Sequence, residues 1–258
     1  SSLTAQSFDK EDNEKLKEEV PVLVNKVANA HNIIKDINAN RGGALQPRSN
    51  INVLVVSPNA TTFNDMLLPI MQDFGDAVSY TATKAFGDLT VEQMLEYDLV
   101  WTFNYTKWEY ETGISSPIEL SDKLGAYIDA GGRLLECEFV QGYDAWGLGG
   151  GAYITENKSP FNKSTTDVGT RGTLGEVALP NHPSMSGVNA FSTDYFYQNV
   201  TLKDNATLIA SYADGVPLCA INDQVVAFNA DPIGTGSQQP YISLHEDGYQ
   251  MMHNAIVY

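Results

Sequence analysis

The sequence predicts an α/β protein with a doubly wound, flavodoxin-like sheet that is mostly parallel and has helices on both faces, preceded by an N-terminal helical arm. Short apolar runs alternate with helical segments from residue 51 onward, and the loops between them are short. Continuous apolar runs are typical of buried parallel strands, and their alternation with helices indicates a parallel sheet. The chain has 258 residues, of which 43% are hydrophobic, so it can bury a large core.

A helical arm is predicted ahead of this α/β domain. Apolar residues recur at three- and four-residue steps within 9–40, as on one face of an amphipathic helix. A pair of glycines and a linker follow, so we assign 1–48 to a helical arm and linker and 49–258 to the α/β domain. The apolar face is expected to dock on a neighbouring domain or subunit of the same assembly. Its side chains are Val20, Leu23, Val24, Val27 and Ile34.

The first half of the domain alternates strands with helices. The predicted strands are 51–57, 77–83, 98–103 and 133–140, and the predicted helices are 64–74, 90–97 and 117–130. Thr90 is an N-cap residue, and Pro117 suits the first turn of a helix. Pro69 predicts a kink or an early break of its helix, because proline has no backbone N–H.

The second half is less regular. Beyond residue 141 the chain is rich in Gly, Ser, Thr and Asn, and strand patterns return only at 207–212, 217–221 and 224–228. Asn222 and Asp223 predict a tight hairpin turn between the last two strands. A helix is predicted at 247–258. The chain starts at Ser1 without a hydrophobic signal region and ends in an apolar run, from which we expect a processed product or a segment of a longer polypeptide.

The charge is strongly asymmetric along the chain. The net charge is −17, and residues 1–50 are neutral, so the whole excess lies in 51–258. An acidic body repels phosphate backbones, which argues against nucleic-acid binding. No apolar run is long enough for a membrane span.

Six Asn-X-Ser/Thr triplets occur, a modest excess over chance. Asn157 is a poor acceptor because a proline follows its triplet. The predicted N-glycosylation sites are Asn59, Asn104, Asn162, Asn199 and Asn205. Together with the acidity, they predict an extracellular or cell-surface location.

Residues 51–258 resemble the class I glutamine amidotransferase-like superfamily. The resemblance lies in an ordered set of segments: 126–132, 145–150, 159–161, 174–176, 182–188, 210–218 and 225–229, with a terminal Asn254-Ala. It is strongest toward the non-catalytic modules found in secreted subtilisin-type proteases and surface proteins. The trehalose-utilisation-type branch is a more distant likeness.

The resemblance raises the question of catalysis. Glutamine-hydrolysing members of the superfamily use a Cys on a strand-to-helix elbow with a His and a Glu, and the candidates are Cys137, His182, His245 and Glu246. Glu136 and Glu138 flank the cysteine, and adjacent carboxylates raise a thiol pKa. The flanking glycines and the late His-Pro-Glu are missing. We therefore predict no catalytic residues and a buried Cys137; a disulfide with Cys219 stays open.

No cofactor or metal is predicted. Asp144, Glu156 and Asp167 are the carboxylates that could meet around calcium, but solvated surface carboxylates are commoner and no EF-hand loop exists. The glycine-rich segment 146–151 lacks the position and the Lys-Ser/Thr of a phosphate loop.

Ligands of doubly wound folds bind beyond the carboxyl ends of the strands. The aromatic and amide residues expected there suit carbohydrate or peptide. The candidate ligand-binding residues are Asn104, Trp108, Gln141, Trp146 and Arg171.

The sequence thus favours a non-catalytic, extracellular structural or adhesion module of a larger surface or filament-forming protein. Two alternatives remain. One is a Cys-dependent amidase or glutamine amidotransferase-type hydrolase, and the other is an accessory domain of a secreted protease.

Overall fold

The computed structural model describes residues 50–257 with five short gaps, at 76–77, 143–145, 165, 169–170 and 238. The predicted helical arm, its apolar stripe (Val20, Leu23, Val24, Val27 and Ile34) and the boundary at residue 48 lie outside the described residues.

The strands, numbered in chain order, are short and follow the predicted apolar runs. They are β1 Ile51–Val56, β2 Val78–Thr83, β3 Leu99–Thr102, β4 Leu134–Glu136, β5 Asp167–Val168, β6 Gly172–Val177, β7 Phe191–Thr193, β8 Tyr197–Gln198, β9 Thr207–Tyr212, β10 Pro217–Asn222, β11 Val225–Phe228, β12 Ile233–Gly236, β13 Gln239–Ile242 and β14 Leu244–Glu246.

The helices are fewer and shorter. Helix α1 is continuous over Ala60–Thr62, a π-type segment Phe63–Leu67 and Leu68–Gln72; the others are α2 Val91–Met94, α3 Pro117–Asp129, α4 Ala152–Thr155, a 3₁₀ turn Pro183–Met185 and α5 Gly248–Val257. Among the described residues, no helix combines the length and the apolar character needed to cross a membrane.

Ten strands form one mixed sheet in the order β14-β7-β6-β9-β10-β11-β4-β3-β1-β2. The half from β11 to β2 is parallel, and every pairing from β11 to β14 is antiparallel. The prediction of a mostly parallel sheet is therefore wrong for the second half. The reason is connectivity: β10 and β11 are joined by a tight hairpin, which can only give antiparallel neighbours.

Several predicted boundaries differ from the observed ones. The predicted strand 133–140 ends at Glu136, because the chain turns at 138–140. The hairpin turn lies one residue later than predicted, since Asn222 pairs with Val225 and leaves Asp223 and Gln224 as the loop. Asp223 has φ 43°, in the left-handed region that such turns require.

Helix α1 shows how Pro69 is accommodated. The helix starts four residues earlier than predicted, and the predicted kink takes the form of the π-type segment just ahead of the proline. There the Leu68 N–H bonds to the Phe63 carbonyl, five residues back. A π-type turn is a local way to re-pair the backbone where proline cannot donate.

Helices cover both faces of the sheet. Successive side chains of a strand point to opposite faces, and along the central strands the side chains on both faces are apolar and buried. In β3, Val100 packs with helix α3 on one face, whereas Trp101 packs with α1 and α5 on the other. Leu134 and Leu135 of β4 divide in the same way. The loops that leave the parallel strands therefore emerge at one edge between two layers of helices.

Candidate functional site

The carboxyl ends of the parallel strands are the edge at which ligands of open α/β sheets bind. Here β1, β3, β4 and β11 end side by side at Val56, Thr102, Glu136 and Phe228. The loops that follow these strands carry Cys137 and four of the five predicted ligand-binding residues.

Cys137 is the first residue after β4 and is completely buried. Its Sγ accepts a hydrogen bond from Trp101 Nε1 at 3.3 Å. Burial raises the pKa of the thiol well above its usual range; the Trp101 bond lowers it, and the charges of Asp231 and Glu136 raise it further. Because the thiolate is the reactive species, this cysteine has the character of a small buried hydrophobic residue.

The predicted partners of the cysteine lie elsewhere. His182 Nδ1 accepts a hydrogen bond from the Ser184 N–H at 3.2 Å. His245 Nε2 lies 2.5 Å from a carboxylate oxygen of Asp194, a residue that also contacts Arg171. Glu246 is exposed at the end of β14. No histidine is among the described groups that act on the Cys137 thiol.

Both cysteines, Cys137 and Cys219, are free and buried. The disulfide that the sequence left open is absent from the structure. The two residues belong to the same core cluster on the Trp101 face of the sheet.

Asn59 and Asn104 join neighbouring loops at this edge. The Asn59 side chain accepts from the Tyr105 N–H and donates to Thr106. The Asn104 side chain accepts from the Phe139 N–H and donates to the carbonyls of Thr106 and Trp146. Both side chains are buried, which argues against a glycan on either amide nitrogen in this fold.

The predicted ligand-binding set is largely internal. Asn104, Trp108 and Gln141 are completely buried, which corrects their assignment to an accessible binding rim. Trp108 Nε1 donates to the Trp146 carbonyl at 2.8 Å, and thus holds the loop rather than a ligand. Trp146 is half-buried, with its ring 5.9 Å from that of Phe139.

Arg171 remains exposed. Its Nε lies 3.3 Å from Asp194 Oδ1, and its side chain is 61% exposed. Of the five predicted ligand-binding residues, only Arg171 and Trp146 therefore present surface to solvent.

The glycine-rich segment serves packing. A Cβ at Gly147 would lie 2.0 Å from the carbonyl oxygen of Gly142, and one at Gly151 would lie 2.4 Å from Ser121 Cβ. Gly147 lets two backbone segments approach closely, and Gly151 lets the chain pack against helix α3. The glycines are thus explained by packing, without a phosphate-binding role.

The carboxylates considered for calcium do not converge. Glu156 is exposed next to Lys158, whereas Asp167 accepts a hydrogen bond from Gln198. Asp144 lies outside the described residues. Within the described part of the chain, no group of three or more His, Cys, Asp or Glu side chains is arranged to hold a metal.

Sequence reasoning missed the buried acids of this edge. Glu138 and Asp231 are both fully buried. Burial raises the pKa of each carboxyl well above its usual range, and Asp231 adds to the effect on Glu138. The Glu-Cys-Glu triplet was a visible signal for Glu138, but nothing in the sequence around Asp231 indicates burial.

Two open grooves on the described surface lie away from this edge of the sheet. One, of about 330 Å³, lies beside the hairpin of Asn222 and Asp223. The other, of about 270 Å³, lies beside Lys203 and Asn162, and both grooves include Asn157 and Asn205. They are polar and hold none of the predicted catalytic residues.

Neither a family model nor a curated protein matches the sequence. Among solved structures, a ThuA-like protein from Bacteroides uniformis is 12% identical, with a TM-score of 0.54, and the match covers 84% of this chain and 94% of that one. A cytoplasmic protein from Salmonella typhimurium LT2 is 14% identical, with a TM-score of 0.51 and coverages of 80% and 95%.

A glutamine amidotransferase from Thermotoga maritima is more distant. It is 13% identical, with a TM-score of 0.45, over 70% of this chain and 76% of that one. At such identities the likeness concerns the fold alone. The fold itself is α/β with a large mixed sheet.

Proposed function

We propose that this chain is a non-catalytic module with a flavodoxin-like, amidotransferase-like fold, and that it serves as a structural or adhesive part of a larger extracellular or cell-surface assembly. The observation that carries the non-catalytic part is the environment of Cys137. Its thiol is buried, accepts its hydrogen bond from Trp101, and has a raised pKa. A nucleophilic cysteine needs the opposite conditions: partial exposure and a nearby base or positive charge.

The surface role is supported by other features. The body carries the whole negative excess of the chain, which favours solubility and disfavours non-specific association. Asn162, Asn199 and Asn205 are exposed and accessible to a glycan. The apolar stripe of the arm is the proposed contact with a neighbouring domain or subunit. Trp146 and Arg171, which present surface to solvent, are the proposed contacts with a carbohydrate or peptide.

The catalytic question is tested with the single-thiol variant Cys219→Ala. In the folded protein, Cys137 is expected to react with iodoacetamide at least 100-fold more slowly than in 6 M guanidinium, because the thiol is buried and protonated. The parent chain is expected to release no ammonia from glutamine above the level of Cys137→Ala. Ammonia release that is lost in both Cys137→Ala and His182→Ala would overturn the proposal in favour of an amidase.

The location is tested by glycan mapping of protein from its native source. Asn199 or Asn205 is expected to carry a glycan, since both side chains are exposed, whereas Asn59 and Asn104 are expected to be bare. Intact mass before and after deglycosylation, followed by peptide mapping, gives the answer. An unchanged mass would remove the main support for an extracellular location.

A further inference from the structure

Four buried side chains beyond the carboxyl ends of β4 and β11 share one feature; three of them follow these two strands, and Gln198 belongs to β8. Glu138, Gln141, Gln198 and Asp231 are all fully buried. Each also has one oxygen without a hydrogen-bond partner: Glu138 Oε2, Gln141 Oε1, Gln198 Oε1 and Asp231 Oδ2. All four orphaned atoms are therefore acceptors, and a buried acceptor without a donor is costly.

The orientation of both amides follows from the hydrogen bonds of their nitrogens. Gln198 Nε2 donates to Glu138 Oε1 at 3.2 Å, which holds the amide of Gln198 against that carboxyl. Gln141 Nε2 donates to Asn229 Oδ1 at 3.3 Å, and the backbone N–H of Gln198 donates to the same oxygen at 2.8 Å. Asn229 thus connects both glutamines, and it stands two residues before Asp231.

The two carboxyls of this cluster have no cationic side chain among their described contacts. The described contacts of Glu138 are with Gln198 and with the charges of Asp231 and Asp167, and those of the Asp231 carboxyl include the Ile233 N–H at 3.0 Å. No Lys, Arg or His is among these described contacts. Two buried carboxyls beside two orphaned amide oxygens call for a positively charged partner.

We propose that Glu138, Asp231, Gln141 and Gln198 form a binding site for Ca²⁺ between β8 and the carboxyl ends of β4 and β11. Calcium takes six to eight oxygen ligands and accepts carboxylates and amide carbonyls together, with water completing the shell. This donor set contains only oxygen and brings two negative charges, which match the charge of the ion. The site is independent of the proposed function, because Cys137 is not one of its ligands.

The test uses the full chain after treatment with EDTA and dialysis at pH 7.5. Adding 1 mM CaCl₂ is expected to raise the melting temperature by about 5 °C, as for a ligand well above its Kd. NaCl at matched ionic strength controls for screening. The variants Glu138→Gln and Asp231→Asn are expected to lose the rise, whereas Glu96→Gln, which removes an exposed carboxylate, is expected to keep it.

The variants also guard against loss of folding. Both site substitutions keep the shape of the side chain and replace a buried carboxyl by a neutral amide, so each variant is expected to melt cooperatively without calcium. A rise of equal size in the parent and both site variants would place calcium elsewhere and overturn the proposal. If calcium did not raise the melting temperature of the parent chain, the proposal would be overturned as well, and the two carboxyls would be neutral because they are protonated.

Discussion

Replacing Glu136 with Gln is expected to stabilise the protein by about 3 kcal/mol at pH 8 and to change its stability little at pH 4. Glu136 ends β4 and is completely buried. Burial raises the pKa of its carboxyl to about 7, although hydrogen bonds with Tyr153 and Ser159 and the charge of Lys203 lower it. The folded state therefore holds a proton that the unfolded state releases.

The direction in which stability changes with pH follows from this difference in bound protons. Between about pH 4.5 and 7 the folded state binds more protons at Glu136 than the unfolded state, so stability falls as the pH rises through this window. Above pH 7 the buried Glu136 carboxyl is ionised and destabilises the folded state by the full amount, and below pH 4.5 this destabilisation vanishes. The groups that face Glu136 are Tyr153, Ser159 and Lys203, and burial lowers the pKa of Lys203.

The measurement is urea unfolding of the parent chain and of Glu136→Gln at pH 4, 5.5, 7 and 8, in buffer with EDTA. Glutamine keeps an acceptor for the Tyr153 hydroxyl, which bonds to Glu136 Oε2, so the variant loses the charge rather than the contact. Glu96→Gln, at an exposed position, serves as the control and should parallel the parent. If the free energy of unfolding changed with pH in the same way for the parent and for Glu136→Gln, the buried carboxyl would not be the cause of the loss of stability between pH 4.5 and 7.

Replacing Trp101 with Ala is expected to cost about 4 kcal/mol of stability. The side chain is completely buried in the middle of β3. Its ring packs edge-on against Phe63 at 5.6 Å and lies 5.8 Å from Phe103. Truncation leaves a large cavity and also removes the donor to Cys137.

Trp146→Ala is the matched control. The same residue type is removed from a half-buried position, where the ring contacts Phe139, so a loss of about 1 kcal/mol is expected. Trp101→Phe keeps most of the ring volume and should lose less than half as much as Trp101→Ala. Urea unfolding at one pH ranks the three variants. A loss in Trp101→Ala no larger than in Trp146→Ala would contradict the packing described for β3.

Much of the α/β domain could be predicted because its signals are local. The apolar runs at β1, β3 and β9, the Thr90 cap and the Pro117 start of α3 all appear where the pattern indicates them. Thr90 forms a complete capping box with Gln93. Local signals work here because capping, turns and apolar periodicity depend on residues close in sequence.

The candidate site was less predictable, because burial is decided by contacts between distant segments. Asn104 has the triplet of a glycosylation site, yet the loop after β4 covers it and its amide bonds to Trp146, 42 residues away. Asp231 looks like an ordinary loop aspartate and becomes a buried carboxyl beside Glu138. A local sequence pattern does not show whether a distant segment of the chain will bury a residue.

The sequence by itself determined the alternation of strands and helices, the acidic body and a cysteine flanked by carboxylates instead of glycines. Only the tertiary structure decided that the second half of the sheet is antiparallel, that Cys137 meets Trp101, and that Glu138 and Asp231 are buried together. The physical reason is that strand order and burial come from packing between segments far apart in the chain. Helix caps, turns and apolar runs are set by neighbouring residues and can be recognised before the chain is folded.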